Sequence, residues 1–160
     1  QDNSLPRVCG RVCPQSDQCE GSCVLHKKGQ PIAIGALERF ASDRLAEAVL
    51  PISAPVLAEK HPRAAMIGSG PASLSCAGDL AKAGVEVTVF EAFHEFGGVL
   101  RYGIPEFRLP KAIVSQEVAE LKKLGVRFVA NTLIGATFSI DELLHEYGYD
   151  GVFIGTGAGL

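Results

Sequence analysis

The stretch AAMIGSGPASLSCAGDLAKAGVEVTVFEA, residues 64–92, decides our prediction of the fold. An apolar run, a glycine-rich turn, a helical pattern and a β-rich run follow one another without interruption. Gly84, after the helical pattern, is a residue that commonly ends a helix. The predicted elements are a strand at Ala64–Ile67, a turn at Gly68–Ser73, a helix at Leu74–Ala83 and a strand at Val85–Phe90.

The turn fits the pattern G-x-G-x-x-small, which is typical of dinucleotide-binding folds. Gly68 allows the tight turn, and Gly70 lets a pyrophosphate approach the backbone where the helix N-terminus faces its charge. Ser73 stands where the pattern usually has Gly or Ala, and it is still small. Glu91 ends the second strand, 23 residues after Gly68, where a carboxylate can accept hydrogen bonds from ribose hydroxyls. Together these residues predict a dinucleotide site.

The turn alone does not choose between FAD and NAD. Phe96-Gly97-Gly98-Val99 and the long loop of residues 92–109 favour FAD, because two adjacent glycines let backbone come close to a cofactor. The alternative is a plain flexible loop. A last glycine-rich run, residues 155–159, either approaches the same cofactor or begins a second nucleotide site.

The alternation of strands and helices continues to the end of the chain and predicts an α/β fold with a mostly parallel sheet. Before it, a helix is predicted at Ile34–Leu50, followed by prolines that connect two parts of the chain. Its apolar stripe is Leu37, Phe40, Ala41, Leu45, Ala48 and Val49. The later elements are a helix from Pro110 to Gly125, a strand at Val126–Ala130, a capping box at Ser139–Glu142 with a helix to about Tyr147, and a strand at Gly151–Ile154.

Four of the five cysteines lie close together, in the spacing Cys9-x3-Cys13-Pro14-x4-Cys19-x3-Cys23. Thiolates suit zinc and iron–sulfur clusters, and a Cys-Pro pair is typical of the end of ferredoxin runs. The gaps match neither the usual zinc nor the usual ferredoxin spacing, so the pattern favours metal, with iron–sulfur ahead of zinc. Two disulfides or free thiols remain the alternative. Cys76 is expected to be a packed core thiol.

Composition excludes several classes of function. The net charge of −3 over 160 residues argues against a nucleic-acid partner, and no apolar run is long enough for a membrane helix. The polar residues at the start are not a signal peptide, and we expect a cytoplasmic protein. Because the chain lacks an initial Met and stops straight after a strand, we expect a fragment truncated at both ends.

Four motifs in order resemble the glutamate synthase small-subunit family. They read LPRVCGRVCPQSDQCEGSCVL, PIAIGALERFASD, IGSGPASLSCAGDLAKAGVEVTVFEA and FGGVLRYGIPEFRLPK. Relatives of that family are the N-terminal part of dihydropyrimidine dehydrogenase and the large subunit of NADH-dependent reduced ferredoxin:NADP oxidoreductase. The resemblance implies a partial helical [4Fe–4S] domain at 1–60 and the first segment of a Rossmann-like FAD-binding domain at 61–160. An NAD(P)H domain would follow.

For the clusters, the resemblance implies that Cys13, Cys19 and Cys23 are ligands divided between two [4Fe–4S] clusters. Glu38 lies where family members supply an oxygen or amide as the odd fourth ligand. Cys9 is not implied as a ligand. Further cysteines would lie upstream, so this chain alone offers an incomplete ligand set.

For FAD, the resemblance implies contacts at the pyrophosphate, the ribose and along the cofactor. Arg108 would be a cationic partner of the flavin or its phosphates, and Leu133 a backbone contact near the adenine. The remaining positions are Gly68, Ser69, Gly70, Pro71 and Ala72 at the pyrophosphate, Glu91 at the ribose, and Gly97, Gly98 and Val99 along the cofactor.

The resemblance implies electron transfer from NAD(P)H to FAD, then through the clusters to a partner subunit or domain. No nucleophilic constellation is evident, so no catalytic residue is assigned. Two rivals remain: an NAD-dependent dehydrogenase with structural zinc, and a non-catalytic, metal-stapled docking module.

Overall fold

A computed structural model describes residues 3–47 and 54–158. Its centre is a four-stranded, wholly parallel sheet with the strand order β3-β2-β1-β4. The predicted α/β class and parallel sheet are therefore confirmed. The strands are β1 (Arg63–Ile67), β2 (Glu86–Phe90), β3 (Arg127–Val129) and β4 (Gly151–Ile154).

Helices precede the sheet and connect its strands. Over residues 3–47 and 54–158, two α-helices come before β1 and four come after it. Among the described residues, no helix has the length and apolar character needed to cross a membrane. The helices are α1 (Pro6–Val12), α2 (Ile34–Glu47), α3 (Pro71–Lys82), α4 (Val99–Tyr102), α5 (Lys111–Lys123) and α6 (Ile140–His145), with a short 3-10 turn at His26–Lys28.

The sheet is covered on both faces, which explains why its strands are apolar almost throughout. Successive residues of a strand point to opposite faces, so Ala65 and Met66 of β1 enter two different clusters. The larger cluster lies with Leu74 of α3 and Val114 of α5, and both of those side chains are fully buried. The smaller one includes Leu143 of α6.

Helix α3 begins at Pro71, three residues before the predicted start. Proline suits the first turn of a helix because its missing N–H is not needed there. The apolar periodicity became visible only at Leu74, so the sequence pattern placed the start too late. Gly84 has a positive φ of 84°, as expected of a residue that ends a helix.

The loop predicted at residues 92–109 contains a helix, α4, which the sequence pattern did not reveal. Its N-cap is Gly98, with a φ of 52°. A helix of 4 residues is too short to show an apolar period. The chain after Gly98 is therefore ordered close to the glycine turn rather than being a plain loop.

The apolar stripe of α2 does not face the core. Leu37 and Phe40 are exposed, with 57% and 62% of their surface accessible. The opposite face packs on α1, where Gly10 allows close approach: a Cβ there would lie 2.8 Å from the backbone nitrogen of Arg39. The packing of α1 on α2 thus depends on a small residue, Gly10, and the apolar stripe of α2 gives no indication of it. Ala48 and Val49 lie outside the described residues.

Helix α1 joins the α/β unit instead of standing apart from it. Leu5 and Val8 are buried in the same cluster as Val114 and Leu121 of α5. The chain's first helix therefore packs against the helix that follows the 92–109 loop.

Candidate functional site

Three glycine segments meet at the carboxyl edge of the sheet. A Cβ on Gly68 would lie 2.5 Å from the carbonyl oxygen of Gly155, and the φ of Gly68 is 92°. A Cβ on Gly98 would lie 2.9 Å from the Cα of Gly70. The turn after β1, the turn before α4 and the loop after β4 are thus in backbone contact. This leaves no room for a side chain at Gly68 or Gly98.

The turn lies where parallel α/β sheets bind ligands. In the order β3-β2-β1-β4, the chain moves outward from β1 to β3 and then returns to the other side of β1. Such a reversal opens a crevice at the carboxyl ends of the strands. Helix α3 starts in this crevice, and its N-cap, Gly70, supplies no side-chain hydrogen bond. The first N–H groups of a 12-residue helix are therefore available to an anion.

Glu91 is buried beside the glycine turn, with 5% of its surface accessible. Its Oε2 accepts hydrogen bonds from the backbone N–H of Ser69, at 2.9 Å, and from the Ser69 hydroxyl. Its Oε1 accepts the N–H of Phe93 at 3.0 Å. A carboxylate offers roughly four acceptor positions, so one remains beyond these three hydrogen bonds.

Ser69 links two sequence motifs that lie 28 residues apart. Its hydroxyl donates to Glu91 and accepts the backbone N–H of Gly97 at 2.9 Å. The side chain is fully buried and points into this network. Sequence reasoning placed Ser69 at the pyrophosphate and missed the bridge. A hydroxyl between the two glycines and an acid after β2 were the available signals.

Ser73, the departure from the usual motif, is also fully buried. Its Oγ has no hydrogen-bond partner among the described residues. The hydroxyl lies against Gly155, and a Cβ at Gly155 would clash with it. A serine fits here because β4 is followed by glycine.

The remaining predicted cofactor residues are half-buried or exposed. Val99 is 57% accessible and Leu133 is 56% accessible. Arg108 is exposed, and its guanidinium has no ion pair or hydrogen bond within the described parts of the chain. Pro71 is half-buried and Ala72 is exposed, both in the first turn of α3. Each of these assignments stays a prediction.

Cys13 ends helix α1 and lies next to Cys9, one turn earlier. Burial raises the pKa of the Cys13 thiol, and the neighbouring Cys9, Glu38 and Cys19 raise it further. Glu38 accepts a hydrogen bond from the Asn3 side chain at 2.6 Å. Cys19 and Glu38 are thus both close enough to Cys13 to influence its thiol electrostatically.

Cys23 has a different environment from that of Cys13. Hydrogen bonds from the backbone of Ile32, and then of Leu25, lower the pKa of its thiol. Cys13 and Cys23 therefore do not share one set of neighbours. The division of the cysteines between two clusters stays a prediction.

The thiol and carboxyl groups have the right donor chemistry for an iron–sulfur cluster but form a partial ligand set. Within residues 3–47 and 54–158, no three His, Cys, Asp or Glu side chains lie close enough to hold a metal ion. Cys13, Cys19, Cys23 and Glu38 therefore stay predicted ligands. All five cysteines are free thiols in the structure, so it contains neither of the two disulfides considered.

Comparisons with known proteins match both parts of the chain. Residues 1–49 match the family model described as dihydropyrimidine dehydrogenase domain II, 4Fe-4S cluster. Residues 66–111 match the model of an NAD(P)-binding Rossmann-like domain. The glutamate synthase [NADPH] small chain of Escherichia coli K12 is 40% identical over 98% of this chain. The resemblance to the glutamate synthase small-subunit family is confirmed.

Other relatives of this chain are also oxidoreductases by name. The putative oxidoreductase UacF of Escherichia coli K12 is 44% identical over 98% of the chain. The NAD-dependent dihydropyrimidine dehydrogenase subunit PreT of Salmonella typhimurium is 36% identical over 92% of it. The chain spans only 24% of UacF, 33% of the Escherichia coli small chain and 35% of PreT.

A solved structure supports the fold of this chain. FprA of Mycobacterium tuberculosis, determined in complex with NADPH, superposes on 62% of this chain with a TM-score of 0.55 and 26% sequence identity. The aligned part is 23% of the FprA chain. The Rossmann-like assignment thus rests on both sequence and structure.

Proposed function

We propose that this chain carries the FAD-binding turns and part of the iron–sulfur region of an NAD(P)H-dependent oxidoreductase of the glutamate synthase small-subunit type. The observation that carries the proposal is the meeting of three glycine segments at the uncapped N-terminus of α3. Backbone that no side chain shields can approach a pyrophosphate closely, and the helix end favours its negative charge. The matches to oxidoreductases support the same class of activity.

In this proposal, each part of the crevice has a separate task. Gly68–Ala72 holds the pyrophosphate through backbone N–H groups. Glu91 uses its remaining acceptor position for a ribose hydroxyl. Gly97–Val99 lies along the cofactor, and the unpaired guanidinium of Arg108 supplies a positive charge to the flavin or its phosphates. Leu133 contributes a backbone contact near the adenine.

Bound FAD would supply the redox chemistry, accepting hydride from NAD(P)H and releasing its electrons one at a time. The chain's own residues bind and orient it, and none is assigned a catalytic role. Cys13, Cys19 and Glu38 would contribute to one cluster and Cys23 to another. We assign residues 1–60 to the iron–sulfur domain and 61–160 to the FAD domain. The NAD(P)H domain and an electron-accepting partner subunit or domain would belong to the rest of a cytoplasmic enzyme.

A second candidate is NAD(P) binding in the same crevice. It is favoured by the match of residues 66–111 to an NAD(P)-binding family model. Both dinucleotides contain an ADP moiety, so the turn and Glu91 serve either one. A dehydrogenase with structural zinc would use the crevice in this way. The docking module would leave it empty.

The test is to purify the full-length protein anaerobically and identify the nucleotide that denaturation releases, together with iron and acid-labile sulfide. We expect one FAD, and we expect Gly68→Ala to abolish it because the new Cβ would lie 2.5 Å from the Gly155 carbonyl oxygen. Gly151→Ala is the matched control, since nothing lies within 4 Å of its added Cβ. Released NAD(P) with zinc would support the second candidate, and no nucleotide at all would reject both.

The metal assignment needs its own pair of variants. Cys13→Ser is expected to lower iron and sulfide while leaving FAD in place. Cys76→Ser is the control, because Cys76 packs beside the core cluster in α3, away from the other cysteines. Equal iron in both variants would contradict the assignment of Cys13.

A further inference from the structure

A buried ion cluster joins α1 to α5. Arg7 of α1 and Glu117 of α5 are 7% and 5% accessible. The Nε of Arg7 lies 3.1 Å from Oε1 of Glu117, and its Nη2 contacts Glu120. Its Nη1 donates to the side-chain oxygen of Gln116 at 3.4 Å. All three nitrogens of one guanidinium thus engage a single face of α5.

The arrangement is asymmetric in charge. One cation faces two carboxylates, and among the described residues Oε1 of Glu117 has no hydrogen bond, only the charge–charge contact with Arg7. Burying charges costs free energy, and apolar residues of similar size would often stabilise such an interface better. Stability alone therefore does not account for this cluster.

The apolar contacts around it constrain the position of α1 on α5 less sharply. Leu5 and Val8 belong to the same buried cluster as Val114 and Leu121, and apolar contacts, being non-directional, tolerate a shift along the helix better than directed ones. A planar guanidinium that is held between residues three apart on a helix does not tolerate such a shift, because its donors have fixed directions. Buried polar groups of this type are best known for fixing register.

We propose that Arg7, held between Glu117 and Glu120, is a positioning residue that fixes the register of α1 on α5. The three cysteines predicted as cluster ligands follow α1, and the first of them, Cys13, is its C-cap. Helix α5 follows the loop that carries Gly97 and Gly98. The ion cluster therefore holds the cysteine-bearing segment at one place relative to the glycine turns. Its importance for electron transfer rests on the proposed function, whereas the register itself does not.

The test uses the full-length protein and four variants. Arg7→Met removes the charge, Arg7→Lys keeps the charge without the planar fork, and Glu120→Gln removes one anchor. Arg127→Met, which changes an exposed arginine of β3, is the control. Amide hydrogen exchange is measured over residues 5–13 and over α3, together with bound FAD.

We expect Arg7→Met to speed exchange in residues 5–13 by about tenfold or more, with α3 and FAD content unchanged. Arg7→Lys and Glu120→Gln should give smaller increases, and Arg127→Met none. Unchanged exchange in residues 5–13 would overturn the proposal. So would an equal increase in α3 or loss of FAD, because Arg7 would then act on the whole fold. If Arg7→Met does not fold, Arg7→Lys and Glu120→Gln decide by the same criteria.

A second readout separates positioning from stability. Flavin bleaching by NAD(P)H and the electron paramagnetic resonance signal of reduced clusters are followed on the same sample. We expect Arg7→Met to lower the ratio of cluster reduction to flavin bleaching about tenfold and Arg7→Lys to restore part of it. An unchanged ratio would reject the positioning role. Absence of FAD or clusters from the wild-type protein would instead reject the proposed function. The register of α1 on α5 would then be decided by amide hydrogen exchange alone.

Discussion

Replacing Glu91 by glutamine tests whether this carboxylate shapes the glycine turn. The glutamine side chain has nearly the same volume but only one carbonyl oxygen. If that oxygen accepts the two Ser69 donors, the new NH2 group faces the N–H of Phe93, which is also a donor. If the side chain is flipped, the conflict moves to Ser69. Either orientation leaves a donor close to Glu91 without its acceptor.

The size of the effect follows from these contacts. A buried donor without a partner costs about 1–3 kcal/mol, and the bonds that remain lose their charge assistance. We take about 2 kcal/mol as the part that ligand binding must supply to reorder the turn, which corresponds to a roughly 30-fold weaker FAD affinity.

The assay is a calorimetric titration of the FAD-depleted full-length protein with FAD. Glu86→Gln is the matched control, because Glu86 begins the same strand and pairs instead with His61, at 2.9 Å. That variant should bind FAD as the wild type does. An affinity of Glu91→Gln within about twofold of the wild type would show that the network does not shape the site. A twofold change is far below the roughly 30-fold weakening expected, and below even the tenfold change that about 1.4 kcal/mol produces.

Three further perturbations probe the turn, the buried acid and a helix cap. Gly98→Ala should lose FAD, because its φ is 52° and its Cβ would lie 2.9 Å from Gly70 Cα; FAD retained at wild-type stoichiometry would contradict this. Burial raises the pKa of Glu117 to about 7; the positive charge of Arg7 opposes part of this rise, and the negative charge of Glu120 adds to it. Since the folded state then holds the proton more tightly than the unfolded state, stability should be full below pH 4.5 and fall as pH rises through 7. Thermal unfolding from pH 5 to 8 should show this slope in the wild type and a weaker slope in Glu117→Gln. Ser139→Ala removes the capping box of α6 and should lower the free energy of unfolding by about 1 kcal/mol in chemical denaturation. Ser115→Ala, which changes a serine inside α5 that caps no helix, is the comparison.

The parts of the fold that were predicted from sequence depend on local chemistry. A glycine with positive φ after a helix and the Ser139–Glu142 capping box each fix nearby backbone by themselves. The strands were visible because a sheet covered on both faces requires continuous apolar runs. For that reason the elements that were predicted follow one another in the structure as expected, and their boundaries differ by a few residues.

The parts that were not predicted depend on which surfaces meet. An apolar stripe at helical spacing is typical of a buried helix face, yet Leu37 and Phe40 of α2 are exposed, because Gly10 lets α1 approach the other face. Helix α4 was missed because it is only 4 residues long. The Arg7 cluster joins residues 110 apart in the chain, and no local pattern announces such a pair.

The candidate site shows why a correct motif can still give an incomplete account of its residues. The pattern G-x-G-x-x-small places no demand on the residue between the first two glycines, since that position is written as x. In this fold the x position points inward, where Glu91 and the N–H of Gly97 both need a partner. Only a small side chain that donates and accepts at once can serve both, and serine is such a residue. Ser69 therefore joins Glu91 and the second glycine pair in one hydrogen-bonded unit. A change at any of the three should disturb dinucleotide binding in the same way.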